Sequence, residues 1–280
     1  MDIDRLFHAA GAADWGQAAY DDLKACMTGA AQGRAADLLG AEPAGVFVAA
    51  FPYYADEAGG NLSQYARGRD YHVAITRRLK AVCDAMQTGY PGRRFYPLAD
   101  NSPLPERQAA RLAGLGLAGR NGMVILPPYG SWIFLGTILT DLPVETNRPP
   151  APRCCDCGAC VQACPTGALR CGDFTVCLSH LTQKKGELTH YEEAVVAHHD
   201  LIWGCDVCQM VCPYNREAAE TALPEFRQNL LHRLNQEDIA GLSNRAFREK
   251  FEGRAFTWRG PQPLKRNLEL QARKKHKKPE

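Results

Sequence analysis

The sequence predicts an α+β fold, and three observations carry that prediction. Residues 1 to about 147 show mixed strand and helix signals. Residues 154 to 215 hold a dense, regularly spaced set of cysteines. From Pro224 onward the apolar spacing is helical, with Phe226, Leu230, Leu231 and Leu234 on one face. The expected organisation is therefore an α/β domain over 1–147, a small cysteine-rich domain over 148–222 and a helical segment over 223–280. The best boundary is Asn147 to Arg153 (NRPPAPR), a polar, proline-rich joint.

Within the first domain, Ala44 to Phe51 (AGVFVAAF) is a short apolar run rich in valine and phenylalanine, and it reads as a buried strand. Tyr71 to Met86 places Val73, Ile75, Leu79, Val82, Cys83 and Met86 at helical spacing, with Arg77, Arg78 and Lys80 outside. Val124 to Pro127 and Trp132 to Leu139 read as two strands joined by the Pro127-Pro128-Tyr129-Gly130 turn.

The bulk composition excludes some classes. A chain of 280 residues, 45% hydrophobic and 23% charged, can bury a real core. A net charge of +2 gives no global pull toward nucleic acid. The basic residues are uneven, however: Lys265, Arg266, Arg273, Lys274, Lys275, Lys277 and Lys278 crowd the last sixteen positions. Such a run is ordinarily a solvated tail, and contact with a polyanion such as RNA is the sharper reading. No apolar stretch approaches the ~20 residues that span a membrane, and MDIDRLF is not a secretory signal. A cytoplasmic monomer with no membrane contact is expected. Twelve cysteines in that compartment favour metal or redox use over disulfides.

Eight of those cysteines form two matched sets. Cys154, Cys157, Cys160 and Cys164 read C-x2-C-x2-C-x3-C-P, closed by Pro165. Cys205, Cys208 and Cys212 read C-x2-C-x3-C-P, closed by Pro213, with Cys177 between the sets. The first run is the ligand pattern of a two-cluster bacterial ferredoxin, whose fourth cysteine serves the other cluster. That assigns Cys154, Cys157, Cys160 and Cys212 to one [4Fe–4S] cluster. It assigns Cys205, Cys208, Cys164 and Cys177 to the second, with Cys171 the rival of Cys177. Gly158, Ala159, Ala163, Gly167, Ala168 and Gly204 are small enough for the backbone to approach the sulfides. Structural zinc also uses C-x2-C pairs, but usually as two separated pairs, and three closely spaced thiolates plus a fourth fit it poorly. Cys83 reads as a core residue and Cys155 as a bystander beside a ligand, and neither these nor Cys26 and Cys171 have the neighbours of a catalytic thiol.

The motifs around these cysteines resemble the epoxyqueuosine reductase family. The resemblance runs through YARGRDYH (Tyr65 to His72), Asp100, Arg107, AGLGLAGRN (Ala113 to Asn121) and GSWIFLGTILTDL (Gly130 to Leu142). It continues through both cysteine sets, with CLSHLTQKKG (Cys177 to Gly186) and GCDVCQMVCPYN (Gly204 to Asn215), and ends in FREKFEGRAFTWRGPQPLKRN (Phe247 to Asn267). It implies an N-terminal cobalamin-binding α/β domain, without a histidine below the cobalt, followed by the two-cluster ferredoxin-like domain. By the same resemblance Asp100 is the catalytic acid. Ser63, Tyr71, His72, Val124, Leu135, Ser179 and Lys185 line the corrin, with Arg107 close by, and Gln183 falls where the family touches tRNA. CLSHLTQKKG favours Cys177 over Cys171 as the eighth ligand. An external low-potential donor would reduce the clusters. The family usually continues past its RN motif into a helical-repeat domain, so the sequence reads as a short form. An arginine that the family contributes upstream of the first strand has no clear counterpart in Met1 to Gly40.

Blander readings stand beside these. Asp100-Asn101-Ser102-Pro103 is good turn sequence, and an acid at Asp100 would gain from a dry pocket that raises its pKa. Tyr71 and His72 could be ordinary half-buried helix residues. His198 and His199 are adjacent, face different ways on a helix, and read as solvated. Gly114, Gly116 and Gly119 spell G-x-G-x-x-G, but Ala109 to Leu115 looks helical and a dinucleotide fingerprint needs a strand there, so these glycines read as close packing. Three functions follow: reduction of epoxyqueuosine to queuosine in tRNA; cobalamin-dependent reduction of another small molecule, or electron donation to a corrinoid protein; and a ferredoxin-type carrier without cobalamin.

Overall fold

The structure, a computed structural model, describes residues 1–276, and side chains as far as Arg273. The chain forms two compact units. The first comprises Met1–Tyr54, Tyr71–Asp156 and Glu217–Leu223, and the second Ala55–Asp70, Cys157–Arg216 and Pro224 onward.

In the first unit, strands β1 (Asp14–Ala19), β2 (Gly45–Pro52), β3 (Phe95–Leu98) and β6 (Ile133–Thr140) make one sheet in the order β1-β2-β6-β3, with every pair antiparallel. All eight residues of β2 are buried, as its unbroken apolar run requires of a strand covered on both faces. Val46, Val48 and Ala50 face a core completed by helices α2 (Tyr20–Lys24), α3 (Gly29–Leu39) and α5 (Glu106–Leu112). On the other face lie α1 (Ile3–Ala9) and α4 (Tyr71–Gly89). Phe7 stacks on Trp15 at 4.8 Å between ring centroids and packs on Phe47. Burying each such aromatic contributes about 1.5–3 kcal/mol. Gly136 of β6 lets Ile75 and Leu79 of α4 sit directly on the strand.

The helix expected from Tyr71 is present, and Ile75, Leu79, Val82, Cys83 and Met86 are buried. Val73 is instead 65% exposed, because the buried stripe runs through Ala74 and Ile75. Arg78 is also not outside: it is half-buried and its Nη1 donates to the Ala10 carbonyl at 2.9 Å. The expected hairpin over 124–139 does not form. β5 (Val124–Ile125) pairs with β4 (Leu117–Ala118) in a separate two-stranded ribbon, whereas β6 joins the main sheet. The Leu126 amide turns back to the Gly130 carbonyl at 2.8 Å, and the two prolines between them offer no amide to a ladder.

The second unit is built of short helices. Its helices are α6 (Ala159–Ala163), α7 (Ala168–Cys171), α8 (Leu178–Gln183), α9 (His190–His198), α10 (Val207–Met210), α11 (Pro224–Arg227), α12 (Gln236–Ile239), α13 (Asn244–Lys250) and α14 (Gln262–His276). One core gathers Leu62, Trp203, Leu234, Phe247, Phe256 and Leu264. Residues 55–70 thus belong here rather than with their sequence neighbours: Leu62 bridges to Trp203, and the Asn61 side chain exchanges hydrogen bonds with the Leu234 backbone at 2.7 and 2.9 Å.

The continuous helix expected after Pro224 is broken. α11 ends at Arg227, and Asn229 adopts a left-handed φ of 53°. Arg254 captures the Asn229 carbonyl at 2.6 Å, and the Leu231 amide donates to the Arg67 carbonyl at 2.9 Å. These tertiary bonds replace the helical ladder. Part of the basic run is structured. Lys265 and Arg266 lie on α14 and donate to backbone carbonyls, whereas Lys277 and Lys278, and the side chains of Lys274 and Lys275, lie outside the described residues. Among the described residues no helix is long and apolar enough to cross a membrane.

Candidate active site and cluster-binding segment

Asp100 follows β3 in a turn with φ 58°, a left-handed conformation that aspartate tolerates better than most residues. Its carboxylate receives the Tyr71 hydroxyl, and His72 Nε2 lies 3.2 Å from Oδ2. The two rings stack at 4.0 Å, and Tyr71 stacks in turn on Phe134 of β6 at 4.3 Å. Sheet, ring stack and carboxylate thus form one supported column. The first turn of α4 supplies both partners, so helix and turn fix one another.

A cavity of about 700 Å³ opens beside this column. Leu104, Leu115, Leu117 and Val124 give it an apolar wall, and Asp100, Ser102, Glu106, Arg107, Gln108 and Arg111 give it polar groups. Arg107 Nη1 donates to the Gly122 carbonyl at 3.1 Å, which anchors its guanidinium at the cavity. Gly116, at φ 64°, packs where a Cβ would meet the Ile125 carbonyl. No strand precedes this glycine run, since α5 does, so the glycines serve close packing rather than a dinucleotide.

The electrostatics differ from the expected dry pocket. The Asp100 side chain is 62% exposed. The hydrogen bond from His72 holds its carboxyl below the usual carboxylate range, against a smaller opposing effect of desolvation and with further help from Tyr71. Glu106 behaves oppositely. Burial, together with repulsion from Asp100, pushes its carboxyl up to about 8. One Glu106 oxygen accepts the Asp100 amide at 2.9 Å. Sequence reasoning passed over Glu106. Its signal was an acid in the first turn of a helix opened by Pro105, which ordinarily marks only a favourable helix dipole.

Seven of the eight paired cysteines lie in the second unit, and Cys154 ends the first. Cys154 is tied there: its amide donates to Ala118 at 3.1 Å and its sulfur accepts the Arg120 amide at 3.4 Å. α6, carrying Cys160, packs on α10, carrying Cys208. Burial pushes the Cys205 thiol up to about 12, and neighbouring Cys208, Asp206 and Cys177 add to the rise. Bound iron would relieve that crowding of thiolates. Burial also raises the Cys164 thiol, but the amides of Leu169, Thr166 and Gly167 and the Thr166 hydroxyl outweigh it, and the net shift is downward. Such donors suit a cluster-ligating thiolate. Cys171 is exposed and its sulfur turns to the Ala168 carbonyl at 3.7 Å. The cysteines of the second unit therefore suit cluster ligation in kind, with Cys177 beside Cys205. None of the twelve cysteines is in a disulfide. Among the described residues no three His, Cys, Asp or Glu side chains converge as ligands of a single metal ion.

The remaining expected residues divide between the units. Tyr71, His72, Asp100, Arg107, Val124 and Leu135 are in the first unit, where Leu135 packs on the core that contains Val124. Ser63, Ser179, Gln183 and Lys185 are in the second. Ser63 is fully buried and donates its hydroxyl to Asp206. Gly204, at φ 77°, lies against Ser63 with no room for a Cβ. Gln183 Nε2 donates to the Ser179 carbonyl at 2.9 Å, and Lys185 is exposed. His198 caps its own helix, donating from Nδ1 to the Ala194 carbonyl at 2.7 Å.

A mixed α/β unit with an acid cluster at a cavity, on one chain with a double set of cluster cysteines, defines an iron–sulfur redox protein. Residues 153–215 match the family described as 4Fe-4S double cluster binding domain, and residues 36–100 match Epoxyqueuosine reductase QueG, DUF1730. An epoxyqueuosine reductase of Synechocystis is 34% identical over 224 residues, which cover 76% of each chain. That of Listeria monocytogenes is 34% identical over 256 residues, covering 82% of this chain and 64% of the relative. The solved epoxyqueuosine reductase of Streptococcus thermophilus superposes with a TM-score of 0.81 at 26% identity, covering 99% of this chain and 81% of that one. Another solved epoxyqueuosine reductase, bound to an epoxyqueuosine-modified tRNA-Tyr stem loop, gives a TM-score of 0.79 at 26% identity, covering 96% of this chain and 80% of that one.

The chain belongs to the epoxyqueuosine reductase family. It spans less than two thirds of the length of several curated relatives, 64% of the Listeria protein among them. The double-cluster segment implies two [4Fe–4S] clusters, and the family is cobalamin-dependent. The cavity fits a corrin in kind: an apolar wall suits the macrocycle face, and Arg107, Gln108 and Arg111 suit its polar periphery.

Proposed function

We propose that this protein is a cobalamin- and iron–sulfur-dependent reductase that converts epoxyqueuosine to queuosine in tRNA. The observation that carries the reading is the carboxylate of Asp100, held by Tyr71 and His72 at the cavity, on the same chain as the double-cluster segment. A solved relative bound to an epoxyqueuosine-modified stem loop supports tRNA as the substrate class. An external low-potential donor would supply the electrons. Cobalamin, when bound, would supply strongly reducing, nucleophilic chemistry.

The residues of this chain do the rest. Tyr71, His72, Arg107, Val124 and Leu135 of the first unit would hold the cofactor. Asp100 is the catalytic residue and gives a proton to the epoxide oxygen as its bond to carbon breaks. Tyr71 and His72 orient the carboxylate, and Gln183 contacts the RNA. Anaerobically reduced protein should convert epoxyqueuosine-containing tRNA. Asp100→Ala should lower the rate by about 10²–10⁴-fold, the usual contribution of a general acid, with cluster content unchanged. Conversion at the wild-type rate by that variant would reject the role of Asp100.

A further inference from the structure

Removing an epoxide oxygen breaks both its C–O bonds, forms a C=C bond and releases water. The balance is two electrons and two protons. Rested on the reading above, the electrons come from the clusters and their low-potential donor. One proton comes from Asp100, which is then a carboxylate, and a second proton is still needed. Its own environment works against reprotonation, because His72 and Tyr71 both donate to it.

The structure holds a second carboxyl at this place. Glu106 lines the same cavity and accepts the Asp100 amide with one oxygen, which leaves its other oxygen to carry a proton. We propose that Glu106 serves the reduction twice: it pins the left-handed backbone of Asp100, and it gives the second proton to the departing oxygen in the cavity that both carboxyls line. A neutral Glu106 at pH 7 agrees with its burial beside Asp100. The groups that act on it are Asp100 from the turn and His72 from α4, and Arg107 and Arg111 line the same cavity from α5 itself. The elements divide the work: after the first transfer α4 keeps Asp100 ionised, and α5 brings the remaining proton to the same cavity.

Glu106→Gln separates the two roles, since glutamine still accepts the amide but cannot hold the proton. The full chain, labelled with ¹³C at glutamate Cδ, is titrated by NMR before any turnover. The resonance lost in Glu106→Gln should titrate near pH 8, and Asp100→Asn should move that midpoint down by removing the repulsion. With tRNA, Glu106→Gln should lower kcat at least about tenfold and leave KM near wild type. The wild-type fall in rate above pH 8 should disappear in that variant. A Glu106 midpoint in the ordinary glutamate range, or one indifferent to Asp100→Asn, would overturn the proposal. So would a Glu106→Gln variant with wild-type kcat and pH profile, which would leave His72 or Tyr71 as the second source. Wild-type inactivity on the tRNA would count against the substrate reading, and the titration would still decide whether Glu106 holds the proton.

Discussion

Ser63 donates its hydroxyl to Asp206, a carboxylate set between Cys205 and Cys208 of the double-cluster segment. The same carboxylate accepts the Gln64 amide at 2.8 Å, and Asp206 is only 3% exposed. One buried side chain thus ties the 62–67 turn to the cluster loop. Asp206→Ala strands two donors in the interior at about 1–3 kcal/mol each. Its denaturant midpoint should fall clearly below wild type under anaerobic conditions, whereas an exposed acid such as Glu249 changed to alanine should leave the midpoint nearly in place.

The RN motif acts in this structure as a clamp. Asn267 is fully buried and its Nδ2 donates to the carbonyls of Thr182 and Ile202, both at 2.8 Å. Arg266 reaches the carbonyls of Lys184, Gly186 and Leu181. Asn267→Ala removes both amide bonds, and a loss of about 1–3 kcal/mol in unfolding free energy is expected. Equilibrium urea unfolding of the anaerobic protein measures it.

Cys177 and Cys171 should separate by metal content. Cys177 lies close enough to Cys205 to raise its thiol, and Cys171 does not contribute. Anaerobically reconstituted Cys177→Ser should carry about four iron atoms, or a markedly labile second cluster, where wild type and Cys171→Ser carry about eight. Iron and sulfide analysis decides between them.

Thiol reactivity offers an independent check on burial. The Cys83 thiol is pushed up to about 12, first by burial and then by Asp84, whereas Cys26 is exposed. Native protein treated with an alkylating reagent at pH 8 should be modified at Cys26 and spared at Cys83. Peptide mass spectrometry reads both sites, and rapid labelling of Cys83 would contradict its place in the core.

Glu106 also predicts a pH dependence of stability. Its folded pKa is about 8, raised by burial, and its unfolded value is the ordinary ~4.3. Between these values the folded chain binds the extra proton, so this contribution is complete below the lower value and is lost as pH rises through about 8. Glu106→Gln should remove that fall, so its stability relative to wild type should improve from pH 5 to pH 9. A constant difference across that range would contradict the burial of the carboxyl.

What the sequence reveals here follows the range of the interactions. The cluster cysteines sit on local loops, so spacing alone is legible, and the all-buried β2 is legible because an unbroken apolar run has few other uses. The pairing of β5 with β4 was not legible, because it is set by a proline turn and by a partner several residues upstream. The transfer of residues 55–70 to the second unit depends on Asn61 meeting Leu234, far along the chain. Asp100 was singled out through motif resemblance alone, and the direction of its pKa is opposite to the expected one because of His72. Glu106 carried no signal beyond a helix-start acid, because its importance lies in a single bond to the Asp100 amide.

The most direct test of the central claim is a single anaerobic assay. Protein with both clusters reconstituted and cobalamin bound is reduced by a low-potential donor and given tRNA containing epoxyqueuosine, and the nucleosides are analysed by mass spectrometry. The account predicts queuosine formed at the expense of epoxyqueuosine, and a rate that falls about 10²–10⁴-fold in Asp100→Ala. Intact clusters and bound cobalamin with no queuosine formed would contradict it.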